Sequence, residues 1–174
     1  MLNEIGLKHG TDKATHHKYL DFYEKNLPDR SFSGRLLEVG VMDGASLRMW
    51  ADYYPNAEIV GIDIDEPRDS GFSNAKWLKV DGTTPAITQL GKFDIILDDG
   101  SHMTKDQQET LELAWGMLNK GGIYIMEDLH TSYNQDYINS DPTTAELLRK
   151  ADWTFWQRVA DDNTDSVTAL KRKR

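Results

Sequence analysis

The chain has 174 residues, enough for one domain with a sizeable buried core. With 39% hydrophobic and 28% charged residues it reads as globular rather than disordered, and a net charge of −9 argues against a nucleic-acid-binding surface, which needs concentrated Lys and Arg. The absence of cysteine excludes a disulfide framework, a thiolate nucleophile and a Cys-ligated zinc site.

The opening "MLNEIGLKHGTDK" lacks the basic-then-apolar pattern of a signal peptide, and no apolar run approaches membrane-spanning length. A cytoplasmic location and no membrane partner are expected. "HHKYLDFYEKNL" carries Tyr19, Leu20, Phe22, Tyr23 and Leu27 at helical spacing, which places His16 and His17 on a helix surface. "RLLEVGV" reads as a buried strand ending at glycine, and "GASLRMWADYY" as a helix with Leu47, Trp50 and Tyr54 on one face. "AEIVGIDID" and "AKWLKVDGT" are the next two strands, and "TPAITQLG" is a short helix or turn. "FDIILDDG" is the fourth strand. "KDQQETLELAWGMLNKGG" is a helix with Leu111, Trp115 and Leu118 on one face, stopped by Gly121 and Gly122. "IYIMED" is the fifth strand and "TAELLRKA" a helix. "WTFWQRVAD" and "SVTALKRK" are two final strands joined through "DDNTD". Of the five tryptophans, Trp50, Trp115, Trp153 and Trp156 read as core or interface residues, and the closing "KRKR" reads as a solvated tail.

Strands alternate with helices, and several strands are continuously apolar. That pattern defines an α/β, Rossmann-like doubly wound fold: a mostly parallel seven-stranded sheet with helices on both faces. The expected organisation is one domain over 1–174, with an N-terminal helical cap segment (1–34) and a Rossmann-like core (35–174). Ligands of such sheets bind outside the carboxyl ends of the strands. The acids Asp63, Asp81, Asp98, Asp99, Glu127 and Asp128 all close strands, so one crevice should gather them.

The first strand-to-helix turn, "LLEVGVMDGAS", holds Glu38, Gly40 and Gly44. Glycine there permits a tight turn and close approach of a ligand. Asp63 follows at the end of the next strand, about 20 positions on, where an acid accepts hydrogen bonds from ribose hydroxyls. A dinucleotide is disfavoured. Met42 stands where a second glycine would admit a pyrophosphate, and Glu38 would place negative charge near phosphates. A cationic sulfonium cofactor with an amino group, S-adenosylmethionine (SAM), suits an acidic crevice better. Asp81 fits the exocyclic amine of adenine, and Asp98 is assigned to the cofactor side, with a structural role left open.

Asp99 and Glu127 end strands expected to be neighbours, and Asp128 adds a third carboxylate. Crowded carboxylates repel, and a divalent cation relieves them; all-oxygen ligands favour Mg²⁺. His102 is the candidate base for an acceptor hydroxyl. His130 is either an orienting partner or a substrate contact, while Ser101 and Thr131 read as turn caps.

"EVGVMDG", with Asp63 and Asp81, resembles the first motif of class I SAM-dependent methyltransferases. "EVGVMDGASLRMW" followed by "ILDDGSH" and "EDLHTSY" resembles a narrower group, the metal-dependent sugar O-methyltransferases of macrolide and related antibiotic pathways. The resemblance implies Mg²⁺ at Asp99, Glu127 and Asp128, His102 as base, and a sugar or glycoside acceptor. From "HGTDKATHHKYLDFYE" it also implies that Thr11, Asp12 and Lys13 lie over the cofactor. Only "NQDYINSDPTTAELLRKAD" separates "EDLHTSY" from the penultimate strand, shorter than the lid segments usual in those enzymes. A neighbouring subunit of a homo-oligomer would be one way to complete it. Two other functions remain open: a metal-dependent hydrolase, which would not use Glu38, Asp63 and Asp81, and a non-catalytic SAM-binding protein.

Overall fold

The computed structural model describes residues 1–150, 154–159 and 166–171, and side chains are described for fewer at the C-terminal end. Three helices precede the sheet: α1 (Leu2–His9), α2 (Asp12–Thr15) and α3 (Leu20–Asn26). The strands and later helices follow as β1 (Arg35–Val39), α4 (Ala45–Tyr53), β2 (Glu58–Asp63), β3 (Ala75–Lys79), β4 (Phe93–Asp98), α5 (Thr104–Met117), β5 (Leu118–Met126), α6 (Thr144–Lys150), β6 (Thr154–Val159) and β7 (Ser166–Lys171). Short 3-10 helices span Pro85–Leu90 and Leu129–Tyr133.

The sheet order is β3-β2-β1-β4-β5-β7-β6. Strands β1 to β5 are parallel, and β7 and β6 close the far edge antiparallel. Consecutive apolar residues on the central strands supply both faces. Leu36, Ile59, Ile95, Leu97, Ile123 and Ile125 pack with α1, α3 and α4 on one side. Leu37, Val60, Ile96, Tyr124 and Met126 pack with α5 and α6 on the other. A strand buried on both faces has no polar side to alternate with, which is why these runs are continuously apolar. Among the described residues, no helix is long and apolar enough to cross a membrane.

Two expected boundaries move. The N-terminal helix expected from His16 begins at Leu20 instead, and α1 and α2 come before it. His16 and His17 therefore occupy the bend between α2 and α3 rather than a helix surface. Helix α5 ends at Met117, and Leu118 to Gly122 belong to β5. Phe93 pairs with Leu118, but Ile95 pairs with Ile123, so β5 carries extra residues between two points of contact with β4. Gly121 adopts φ +80 there, and a Cβ on Gly122 would lie 2.9 Å from the carbonyl oxygens of both Asn119 and Asp94. The glycine pair thus serves an irregularity inside the strand, not a helix stop. The expected roles of Trp153, the Trp156 side chain and Arg172 to Arg174 lie outside the described residues. Trp50 is fully buried, and Trp115 packs at the edge of the second core face.

Candidate active site

The register sets the site. Val39 of β1 pairs with Asp98 of β4, and Asp98 pairs with Met126 of β5. The ladder continues one step further: the Asp99 N–H donates to the Val39 carbonyl and the Glu127 N–H to the Asp98 carbonyl, both at 2.9 Å. Asp99 and Glu127 therefore leave neighbouring strands at one level, as their positions in the sequence implied. Above them opens a cavity of about 600 Å³, a size suited to a small organic ligand.

Its cofactor-like end is the turn after β1. Gly40, Met42 and Gly44 adopt φ of +84, +51 and +82. Met42 takes the left-handed conformation without being glycine, and its side chain is 72% exposed at the cavity rim. Gly40 is required for a second reason: a Cβ there would collide with the backbone of Asp99, just after β4. Asp63 clamps the turn, its Oδ2 accepting the N–H groups of Val41 (2.8 Å) and Met42 (2.9 Å). Burial opposes the charge, yet the backbone donors hold this carboxyl below the usual range. Asp81 lines the same end, with Oδ1 accepting the Thr83 N–H at 2.9 Å. Asp98 sits on the cavity floor. Burial pushes its carboxyl up to about 7, against a 2.6 Å hydrogen bond donated by the Tyr124 hydroxyl to Oδ2.

The other end brings together Asp99, His102 and Asp128, whose ligand-type atoms lie within 4.8 Å of one another. His102 Nε2 stands 3.4 Å from Asp128 Oδ2 and 4.0 Å from Asp99 Oδ1. His102 has φ +62, and the Thr131 hydroxyl donates to its carbonyl oxygen at 2.9 Å, bracing the bend. Thr131 and Ser101 act as turn caps, the latter hydroxyl bonding to Asp106. His130 Nδ1 is 3.9 Å from Asp128 Oδ1, beyond hydrogen-bond distance.

Four residues expected at the site do not line the cavity: Glu38, Gly44, Lys13 and Glu127. Gly44 lies just behind it as the N-cap of α4. Glu38 is fully buried below the floor, accepting from Trp50 Nε1 at 3.3 Å, and burial raises its carboxyl to about 7. Thr11 and Asp12 do border the cavity. Lys13 turns the other way: its ammonium contacts Asp99, lies 2.9 and 3.0 Å from the two Glu127 oxygens, and is 3.9 Å from Glu38. Burial alone would lower its pKa, but Asp99, Glu127 and Glu38 together hold it well above normal. Glu127 also accepts a short hydrogen bond from the Tyr23 hydroxyl. Its carboxyl is raised, first by burial and then by Asp99.

The residue types alone did not disclose the roles of Tyr19, Tyr23 and Gln107. Tyr19 donates to Asp128 Oδ1 at 2.7 Å, and Tyr23 to Glu127. They are four apart at the start of α3, so both hydroxyls leave one helix face. That spacing was visible, but it read only as an apolar stripe. Gln107, on the first turns of α5, is buried against the cavity and donates to the Glu127 carbonyl at 3.4 Å.

The fold is that of the class I methyltransferases. Among solved structures, the MycE methyltransferase of the mycinamycin biosynthetic pathway, in complex with Mg, S-adenosylhomocysteine (SAH) and mycinamycin VI, superposes with a TM-score of 0.84 at 23% identity, covering 99% of this chain and 53% of its own. Two curated relatives point the same way. The 8-demethyl-8-alpha-L-rhamnosyl tetracenomycin-C 2'-O-methyltransferase of Streptomyces olivaceus is 31% identical across 97% of this chain and 43% of its own length. The L-olivosyl-oleandolide 3-O-methyltransferase of Streptomyces antibioticus is 31% identical across 78% of this chain and 39% of its own. The resemblance drawn from the motifs is thus to the same group of sugar O-methyltransferases. The chain spans less than half the length of these two relatives. No family model matches it.

Proposed function

We propose that the chain is the catalytic part of a SAM-dependent, Mg²⁺-assisted O-methyltransferase acting on a hydroxyl of a sugar or glycoside. The observation that carries this reading is the shared cavity: the glycine turn, Asp63 and Asp81 border it at one end, and Asp99, His102 and Asp128 at the other. One enclosure brings a methyl donor and an acceptor hydroxyl within reach of each other, which an in-line displacement needs. Asp63 and Asp81 bind the nucleoside, and Thr11 and Asp12 cover it. The acidic surroundings favour a sulfonium over a phosphate-rich cofactor.

The donor set fits a divalent ion. Asp99 and Asp128 offer hard carboxylate oxygens close together, with the His102 ring beside them as the base rather than as a ligand. Mg²⁺ there would lower the pKa of the acceptor hydroxyl. Glu127, expected from the sequence as a third ligand, has its oxygens turned to Lys13 and Tyr23. His102 takes the acceptor proton at Nε2, and Asp128 stabilises the imidazolium that results. A metal-dependent hydrolase would leave the nucleoside end of the cavity without a purpose.

Calorimetric titration with SAM and SAH, with Mg²⁺ and then with EDTA, tests this reading. Expected is cofactor binding that survives EDTA, with methyl transfer to a hydroxylated glycoside lost. Absence of cofactor binding in both conditions refutes the methyltransferase reading, and binding without transfer to any glycoside makes this a SAM-binding protein.

A further inference from the structure

Helix α5 does not cap itself. Its N-cap residue is Met103, whose side chain makes no cap hydrogen bond, so the amides of its first turn need acceptors from elsewhere. They find them in the segment after β5. The Thr104 N–H donates to the Tyr137 carbonyl at 3.0 Å, and the Lys105 N–H to Asn139 Oδ1 at 2.7 Å. Thr104 is fully buried, and its other polar atoms turn the same way. Its hydroxyl oxygen accepts the Asn139 N–H at 3.0 Å and the Ser140 hydroxyl at 2.9 Å, and its carbonyl accepts the Thr144 hydroxyl at 2.9 Å. His102 stands two residues before this joint in the left-handed conformation, φ +62, which a residue with a Cβ keeps only when its surroundings hold it there. A second grip lies on His102 itself. The Thr131 hydroxyl is 2.9 Å from the His102 carbonyl oxygen and 2.8 Å from that of Asp128, so one side chain ties the two loops together.

We propose that the segment from Thr131 to Thr144 is a clamp that fixes the His102 ring relative to Asp128, with Asn139 and Thr131 as its positioning residues. That the clamped ring is a base rests on the function proposed above. A base works only within hydrogen-bond reach of the proton it takes, and a displacement of about 1 Å is enough to spoil the geometry. His102 Nε2 lies 3.4 Å from Asp128 Oδ2, and the backbone carrying it is gripped on both sides. Thr131 holds the His102 carbonyl, and Asn139 holds the helix turn that follows. Asn139 is exposed, so what it contributes is its hydrogen bonds rather than packing. The short stretch between Tyr133 and α6 therefore supplies the cap that α5 lacks, and through that cap it sets the bend at His102.

The test is NMR of the histidine ring protons in the full chain, for wild type, Asn139→Ala, Asn139→Asp, Thr131→Val and Thr131→Ser, each checked for native circular dichroism. His102→Gln assigns the His102 resonance. His9 on α1, held by Asp52 at 3.0 Å, is the internal control. Expected is a displaced or broadened His102 resonance in Asn139→Ala and Thr131→Val, its return toward the wild-type position in Asn139→Asp and Thr131→Ser, and an unmoved His9 resonance throughout. Aspartate can stand in for Asn139 because its carboxylate also accepts at a helix N-terminus. A His102 resonance unmoved in Asn139→Ala overturns the proposal. A shift shared equally by His9 overturns it too, since that marks general loosening rather than a clamp on one ring. Asn139→Ala decides the matter even if Thr131→Val does not fold. No acceptor is used, so failure here leaves the methyltransferase reading intact, whereas a clamped His102 in a protein that transfers no methyl group refutes that reading and not the clamp.

Discussion

Gly40→Ala should damage both the fold and the site, and its cost can be worked from two separate effects. Gly40 has φ +84, and placing a Cβ residue in the left-handed region costs about 1 kcal/mol. The new Cβ would also lie 2.6 Å from the Asp99 carbonyl carbon and 3.0 Å from Gly100 Cα. Ordinary carbon contacts are about 3.5–4.0 Å, so β1 and β4 would have to part by about 1 Å at their carboxyl ends. Overpacking of that kind adds about 1–3 kcal/mol, for a total near 2–4 kcal/mol. Gly71→Ala is the control: φ is +75, but no atom lies within 4 Å of its Cβ, so only the conformational cost of about 1 kcal/mol applies. Urea unfolding followed by tryptophan fluorescence reads both, with SAH titration alongside. Gly40→Ala should be the less stable by about 1–3 kcal/mol and bind SAH more weakly, because the glycine turn that forms the cofactor end of the cavity shifts with the strand end. Equal stability of the two variants would refute the close-approach argument and leave Gly40 as an ordinary turn residue.

Two further predictions concern protons. Burial raises Asp98 to about 7 in the folded protein, so the folded state holds a proton that the unfolded chain releases at lower pH. Its contribution to stability is therefore full below the ordinary aspartate range and is lost as pH rises toward 7. Urea midpoints for wild type should fall relative to Asp98→Asn between about pH 4 and 7, and a difference that does not change with pH would contradict the assignment. His102→Ala should lower kcat by about 10²–10⁴ while SAH affinity is kept, read by paired rate and calorimetric measurements. Loss of SAH binding in that variant would place His102 in the cofactor site instead of beside the acceptor.

Much of the site was legible from order alone. Runs such as "FDIILDD" and "IYIMED" are apolar on both sides of the strand, which requires a sheet covered on both faces and hence parallel strands with ligands at their carboxyl ends. Asp98, Asp99, Glu127 and Asp128 had to meet once β4 and β5 were neighbours. The turn with Gly40 and Gly44, followed by Asp63, was readable because local backbone geometry and spacing carry its meaning.

Other features depended on contacts between residues far apart in the chain. Leu118 looked like the end of a helical stripe, and only pairing of Phe93 with Leu118 and Ile95 with Ile123 drew that segment into β5. Tyr19 and Tyr23 looked like core aromatics until α3 docked their hydroxyls onto Asp128 and Glu127. Lys13 is the clearest case. It is 86 positions from Asp99 and 114 from Glu127, and nothing in "HGTDKATHH" records that its ammonium will be buried between them. Periodicity and turn chemistry are local and survive in the sequence. Which buried acids keep an open side toward a ligand, and which are neutralised from below, is settled only when the segment before the sheet packs under the strand ends.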